Sequence, residues 1–371
     1  MNFRQFCDKY NVLLTNQQAT AVQRVDGAPL LLAVPGSGKT TVIVARTGYL
    51  LHVAGVDPRH ILTITFTKAA ATEMKERFIK KFGRAEDGTV PHFSTIHSFC
   101  LSVIRICQRE KGVRIPALVP NNNSIIRDIA RKMTKDYPSD ATVSSLAQSI
   151  GKAKNELMDD EQLCAIDEKS LDFRDFFHAY QEHLKSNQLM DFDDQLLMAN
   201  ELLDRFPDIL ARAQRQYRYI SLDEAQDTSL VQHKIVQKLV GRNGNIFMVG
   251  DEDQSIYGSR GAYPTALLNF NQDYANASII QRIVMAARKF ISRNTQRHDK
   301  NMTAAATSLG QINFIPLSDL KNQPRLIMSE IKKAMAIPDQ TLGILYRNNY
   351  SAIPILNLLR MEGIGVRARD A

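Results

Sequence analysis

The run Ala33-Val34-Pro35-Gly36-Ser37-Gly38-Lys39-Thr40-Thr41 follows an apolar stretch at residues 30–34 and opens another with helical spacing at 41–51. A glycine-rich turn between a strand and a helix can cradle a polyphosphate. Gly36 and Gly38 let the backbone come close to it, and the amides from Gly36 to Thr41 form a nest of donors at a positive helix end. Lys39 would reach the terminal phosphates, and Thr40 would offer its hydroxyl to Mg²⁺. The competing reading is a plain glycine-rich turn before a helix. The Gly-Lys-Thr ending in this setting argues against it, although Ala33 stands where a strict pattern has Gly.

Two further runs carry chemistry of the same kind. Ile220-Ser221-Leu222-Asp223-Glu224-Ala225-Gln226-Asp227 puts adjacent carboxylates at the end of an apolar strand. In a parallel sheet the strand ends face one crevice, so Asp223 can hold Mg²⁺ opposite Thr40. Glu224 can then orient and deprotonate a water for in-line attack on a γ-phosphate. An Asp-Glu pair alone is ordinarily a solvated turn; the preceding strand and the phosphate loop reverse that expectation. In Val249-Gly250-Asp251-Glu252-Asp253-Gln254-Ser255-Ile256-Tyr257-Gly258-Ser259-Arg260-Gly261, the Gln254 amide could touch both the γ-phosphate and the attacking water. Tyr257 and Arg260 could face a nucleic-acid strand, while an acidic surface turn is the alternative for this segment taken alone.

These residues need a scaffold that presents strand ends side by side. Residues 61–66, 91–94, 217–222 and 245–249 read as strands, with helices at 68–82 and 95–107. Such alternation predicts an α/β fold, a parallel sheet covered by helices on both faces. Between 116 and 210 the sequence turns polar and helix-favouring, with helices near 124–135, 143–157, 171–186 and 193–205, so the sheet domain is interrupted by a helical insertion. A third region after residue 276 repeats the α/β rhythm: helix 283–294, strand 312–315, helix 317–335, strand 341–346 and helix 351–361.

The 371 residues are 44% hydrophobic and 23% charged, the composition of a globular chain of about two or three domains. No apolar run reaches the length of about 18 residues that a membrane span needs. The N-terminus lacks the apolar core of a secretory signal, so cytoplasmic residence is expected. Cys7, Cys100, Cys107 and Cys164 show no paired short spacing, which predicts reduced thiols and no zinc or iron-sulfur site. The net charge of +8 favours a polyanionic partner. With no tryptophan in the chain, base stacking would fall to Phe, Tyr, His or Arg.

With these runs in hand, the sequence resembles the superfamily 1 DNA helicases of the UvrD, Rep and PcrA kind. Further segments agree in order and spacing. Leu14-Thr15-Asn16-Gln17-Gln18 looks like the family's adenine-reading motif, with Gln18 pairing with the base. Thr65-Phe66-Thr67-Lys68-Ala69-Ala70 and Thr95-Ile96-His97-Ser98-Phe99 look like strand-gripping motifs, Asp191-Phe192-Asp193-Asp194 like the close of the insertion, and Tyr346-Arg347-Asn348-Asn349 like a DNA-facing turn. The resemblance implies a RecA-like P-loop domain 1A at 1–115 and 211–275, a helical domain 1B at 116–210, and part of a second RecA-like domain, 2A, at 276–371.

It also implies an ATP-dependent helicase or translocase moving 3′ to 5′ on single-stranded DNA in repair or replication. ATP and Mg²⁺ are the implied cofactors, and single-stranded DNA, DNA junctions and repair proteins the implied partners. Lys39, Glu224 and Gln254 would be catalytic, Gln18 and residues 33–41 would hold ATP, and Thr40 and Asp223 would hold the metal. Phe66, Thr67, His97, Tyr257, Arg260, Arg347 and Asn348 would touch DNA. From the residues alone Phe66 fits core packing as well as base stacking, His97 a helix-start histidine, and Arg347 a solvated turn.

The sequence departs from the family in several places. Val34 stands where Gly is usual, and Ser259 where an aromatic residue is usual, which removes a stacking surface worth about 1 to 3 kcal/mol per base. Around Ile279-Ile280-Gln281-Arg282-Ile283-Val284 the family's Asn-Tyr-Arg-Ser segment is missing, as if a stretch were absent between Gln281 and Arg282. The later motifs beyond Ala371, one of which supplies an arginine worth about 10³ to 10⁵ in rate, are also absent. The expectation is a chain that binds nucleotide better than it turns it over. The alternatives are a nucleotide-gated DNA-binding module, or the motor part of a helicase-nuclease that cannot itself unwind.

Overall fold

Ala28–Leu32 (β1) and Ile61–Thr65 (β2) are buried at every position, the signature of strands covered on both faces. In the computed structural model, which describes residues 1–33, 38–168, 171–241, 244–251, 261–281, 315–316, 319, 322–337, 342–346 and 349–365, they belong to one six-stranded sheet. His92–Thr95 (β3), Tyr219–Leu222 (β6), Asn245–Gly250 (β7) and Ala277–Gln281 (β8) complete it in the order β3-β2-β6-β7-β1-β8, with every pairing parallel. A short ribbon, Ala117–Leu118 (β4) beside Leu189–Met190 (β5), lies apart from it.

Successive residues of a strand face opposite sides, and the two cores follow that alternation. Leu30, Leu32, Ile246 and Met248 enter one core with Ile96–Lys111 (α5) and Leu230–Val240 (α12). Leu31, Phe247 and Val249 enter the other, with Phe3–Tyr10 (α1), Asn16–Gln23 (α2), Lys39–His52 (α3) and Lys68–Phe82 (α4). The α/β, parallel-sheet expectation therefore holds. All four cysteines are free thiols, and no helix among the described residues is long and apolar enough to cross a membrane.

The insertion has its own core. Asn123–Thr134 (α6), Asp140–Glu156 (α7), Asp160–Cys164 (α8) and Phe173–Ser186 (α9) bury Ile126, Leu146, Ile150, Phe173, Phe176 and Tyr180 together. The next helix, Phe192–Arg205 (α10), sends Leu196, Ala199, Leu202 and Leu203 into the sheet core instead, and Pro207–Gln216 (α11) adds Ile209. The separate helical core thus ends before the expected limit at 210. Its base is pinned by Lys154, whose side chain is 0% exposed and whose Nζ lies 2.6 Å from Asp191 Oδ2 and 2.7 Å from Asp194 Oδ1. Tyr180 donates its hydroxyl to Asp191 at 2.9 Å, and Asn122 donates to Tyr180 at 2.7 Å.

Other expectations need correction. After Thr265–Leu268 (α13) and Phe270–Asp273 (α14), β8 pairs with β1, so the first sheet runs past the boundary placed at 275. The chain divides into compact units at 1–305 and 306–371. In the second unit, Gln323–Met335 (α15) and Asn349–Met361 (α16) pack Met328 and Ile331 on Ile355 and Leu359. The helix expected from 317 begins at Gln323, with a proline in its first turn, where the missing N–H costs nothing. Residues 342–346, expected as a strand, carry no strand pairing. The expected helix at 283–294, and all but residue 315 of the expected strand at 312–315, lie outside the described residues.

Candidate functional site

Parallel register puts the ends of β1, β6 and β7 side by side, Leu32 opposite Gly250 and Leu222 opposite Met248. The chain leaves β1 through Ala33, whose amide donates to Gly250 O at 3.0 Å. Gly38 caps α3 with φ +81°, a conformation that suits glycine and starts the helix at Lys39. Lys39 Nζ reaches Glu224 Oε2 at 2.5 Å, with only 10% of the lysine side chain exposed. Thr40 and Thr41 lie in the same first turn, half-buried and exposed.

Glu224 holds φ +47° and ψ +47°, a left-handed geometry costing a non-glycine residue about 1 to 2 kcal/mol. Such strain persists where the surroundings fix it. Here Gln226 does much of the fixing: its Nε2 donates to Glu224 Oε2 at 2.8 Å, and its Oε1 accepts from the Asp251 amide at 2.9 Å. A Cβ on Gly250 would sit 2.9 Å from that Oε1, so a side chain there would push the Gln226 amide aside. His233, fully buried, donates Nε2 to Ala225 O at 3.2 Å; burial pushes its pKa down to about 4, keeping it neutral.

Asp223 is 5% exposed, and its amide donates to Ile64 O at 2.9 Å. Burial first, then the charge of Glu224, pushes its carboxyl up to about 7, against the pull of Lys39 and a hydrogen bond from Thr65. Asp227 is pushed up to about 6 by the same two causes in the same order. Asp223 Oδ1 and Asp227 Oδ1 are buried without a hydrogen-bond partner. Unpaired carboxylate oxygens beside a hydroxyl-bearing helix start are a donor set that suits a hard divalent cation such as Mg²⁺. Arrival of such a charge would favour the ionised form that burial disfavours.

Gln18 lies against Gly38: a Cβ on Gly38 would meet its Nε2 at 3.4 Å. Its Oε1 accepts from the Thr15 amide at 2.9 Å in a capping box, which fixes the side chain. A cavity of about 550 Å³ opens beside Thr41, with Lys9, Tyr10, Arg77, Lys80 and Lys81 among its walls. Along the same sheet edge, Phe66 follows β2 and is 42% exposed, and Thr67 caps α4 by accepting from Ala70 N at 3.1 Å. His97 is half-buried in the first turn of α5, and burial lowers its pKa. Thr65, Phe66, Ile96, Asp223, Thr228 and Gln232 line one small gap beside this strip.

Comparison with known proteins assigns the chain. The UvrD/REP helicase N-terminal domain matches residues 14–275. This chain belongs to the UvrD/REP helicase family. It is 34% identical over 364 residues to the ATP-dependent DNA helicase PcrA of Bacillus subtilis, covering 94% of this chain and 49% of that protein. PcrA of Staphylococcus aureus is 33% identical over 352 residues, 91% of this chain and 48% of the relative. The chain spans about half the length of the curated relatives it matches.

The structure of this UvrD/REP member brings Gln18, Gly38, Lys39, Thr40, Asp223 and Glu224 to one edge of one sheet, and Phe66, Thr67 and His97 to the ends of neighbouring strands. Val34, Pro35, Gly36, Ser37, Gln254, Tyr257, Ser259, Arg260, Arg282, Arg347 and Asn348 lie outside the described residues. Gln226, Thr65 and Gly250 were not singled out from sequence. Gln226 offers the one available signal, an amide that can donate and accept, placed immediately after the acidic pair.

Proposed function

We propose that this chain is the ATP-binding motor portion of an ATP-dependent DNA helicase or translocase that works on single-stranded DNA, moving 3′ to 5′ as its resemblance to the family implies. The observation that carries this reading is the meeting of Lys39 and Glu224, 2.5 Å apart, beside Asp223 at the crevice edge of a parallel sheet. In this reading the γ-phosphate replaces Glu224 as the partner of Lys39. The freed carboxylate accepts a proton from a water that attacks phosphorus in line with the departing ADP. Thr40 and Asp223 would hold Mg²⁺, which offsets negative charge developing on the phosphates. Gln18 reads the adenine.

Phe66, Thr67 and His97 line the strand track, joined on the family pattern by Tyr257, Arg260, Arg347 and Asn348. Gln254 links that track to the γ-phosphate. The sheet domain with its helical insertion acts as the first motor domain, and residues after 306 as the start of the second. DNA junctions and repair proteins are the partners this reading favours, with residence in the cytoplasm. ATP hydrolysis measured with and without a single-stranded oligonucleotide tests it. Stimulation by DNA that disappears in Lys39→Ala and Glu224→Gln supports the motor; nucleotide and DNA binding without turnover favours a nucleotide-gated binding module or an incomplete motor fragment instead.

A further inference from the structure

Arg46 lies on α3 about two helical turns after Lys39 and is 2% exposed. Its Nη1 donates to Ala21 O at 3.2 Å and to Arg24 O, and its Nη2 donates to Val25 O at 3.0 Å. The guanidinium also sits over the Phe247 ring, 4.8 Å from its centroid. A buried cation is costly unless its donors are used. These donors close the C-terminal end of α2, where carbonyls lack partners within the helix. That end has no basic residue in its last turn, and its capping residue Arg24 is extended and not left-handed. A cation supplied by the neighbouring helix also complements the negative pole of α2.

The same two helices meet again at their starts, where Gln18 in the first turn of α2 lies against Gly38, which precedes α3. We propose that Arg46 is a positioning residue for base recognition: by tying the last turn of α2 to α3, it holds the Gln18 amide in register with the phosphate-binding end, so that base and triphosphate are read together. This rests on the reading of Gln18 as the adenine contact. Displacement of a recognition group by about 1 Å is enough to weaken its contribution. Arg46→Lys keeps a buried cation but replaces the planar fork, whose two arms serve these carbonyls, with a single nitrogen on a shorter side chain.

Equilibrium competition by ATP, GTP and inorganic tripolyphosphate against a fluorescent nucleotide tests it on the whole chain. In Arg46→Lys, ATP affinity should fall about tenfold, a hydrogen bond's worth, with tripolyphosphate unchanged and the preference for ATP over GTP reduced. In a Gln18→Ala background, Arg46→Lys should add nothing. Equal losses for ATP and tripolyphosphate, or additive losses in the double variant, overturn the proposal as a merely structural effect. If Gln18→Ala leaves the ATP-over-GTP preference intact, the reading of Gln18 fails and the proposal with it; if Gln18→Ala abolishes that preference and Arg46→Lys does not, only the role of Arg46 falls. In the unaltered protein, ATP should slow hydrogen exchange at the amides of residues 19–25 and tripolyphosphate should not; equal protection by both again overturns it.

Discussion

Lys154 and Lys39 are both largely buried and both pair with carboxylates, and they differ in almost everything else. Lys154 has no exposed side chain; it meets Asp191 and Asp194, and Tyr180 and Asn122 continue the network. Lys39 meets the 35%-exposed Glu224 at the mouth of a crevice, beside a strained backbone and two buried carboxylate oxygens without partners. The first cluster is satisfied by its own neighbours, so it fixes how α7, α9 and α10 pack. The second leaves Asp223 Oδ1 and Asp227 Oδ1 without protein partners, which is why the proposed reading assigns a cation and a phosphate to it. Distance between the charges does not separate the two; the state of the remaining polar atoms does.

The largest effect should come from breaking the closed cluster. Lys154→Ala leaves buried carboxylates without their cation, and should cost about 3 to 5 kcal/mol of stability. Denaturant unfolding checks it, with nucleotide affinity of the remaining folded protein unchanged. Lys39→Ala should do the reverse, lowering turnover by a factor on the order of 10² or more while moving the unfolding midpoint little. Comparable destabilisation by the two substitutions would erase the distinction.

That distinction was only half legible in the sequence. Lys39, Asp223 and Glu224 are marked by their spacing from apolar strands, because a parallel sheet converts chain position at a strand end into position at a crevice. Gln226 and Thr65 carry no such mark: their partners, Asp251 and Asp223, depend on which strands become neighbours. The helices of the insertion were readable from their periodicity, but an apolar stripe does not say which core receives it, so α10 looked like part of the insertion. Ala277–Gln281 was unreadable as a strand of this sheet, since its pairing partner β1 lies far earlier in the chain.

A smaller effect should appear at the edge of the closed cluster. Burial, then the charge of Asp191, pushes the Asp193 carboxyl up to about 6, against a hydrogen bond from Asn155 at 2.7 Å. Its folded pKa thus exceeds the unfolded value of about 3.9, so the folded state binds the proton more tightly. The stabilising contribution is present below about pH 4 and is lost as pH rises through about 6. Asp193→Asn should therefore gain stability relative to the unaltered protein across that window, by about 1 kcal/mol after allowance for partial exposure, and level off above it. Unfolding of both proteins from pH 4 to 7 measures the difference, and a difference independent of pH would detach Asp193 from the network.

The smallest effect probes the open cluster. Thr65 is 3% exposed, and its hydrogen bond to Asp223 favours the ionised carboxylate that burial opposes. Thr65→Val keeps the shape and removes the hydroxyl, so the Asp223 pKa should rise further and a cation should compete less well with the proton. One hydrogen bond, at about 1 kcal/mol, corresponds to about a fivefold higher Mg²⁺ concentration for half-maximal nucleotide binding near neutral pH, where the carboxyl is only partly ionised. Raising the pH by about two units should restore most of the loss, because Asp223 is then ionised in both proteins. A deficit that persists at high pH would mean that Thr65 orients the carboxylate and does not tune its charge, and the open cluster would then share the closed one's dependence on fixed geometry.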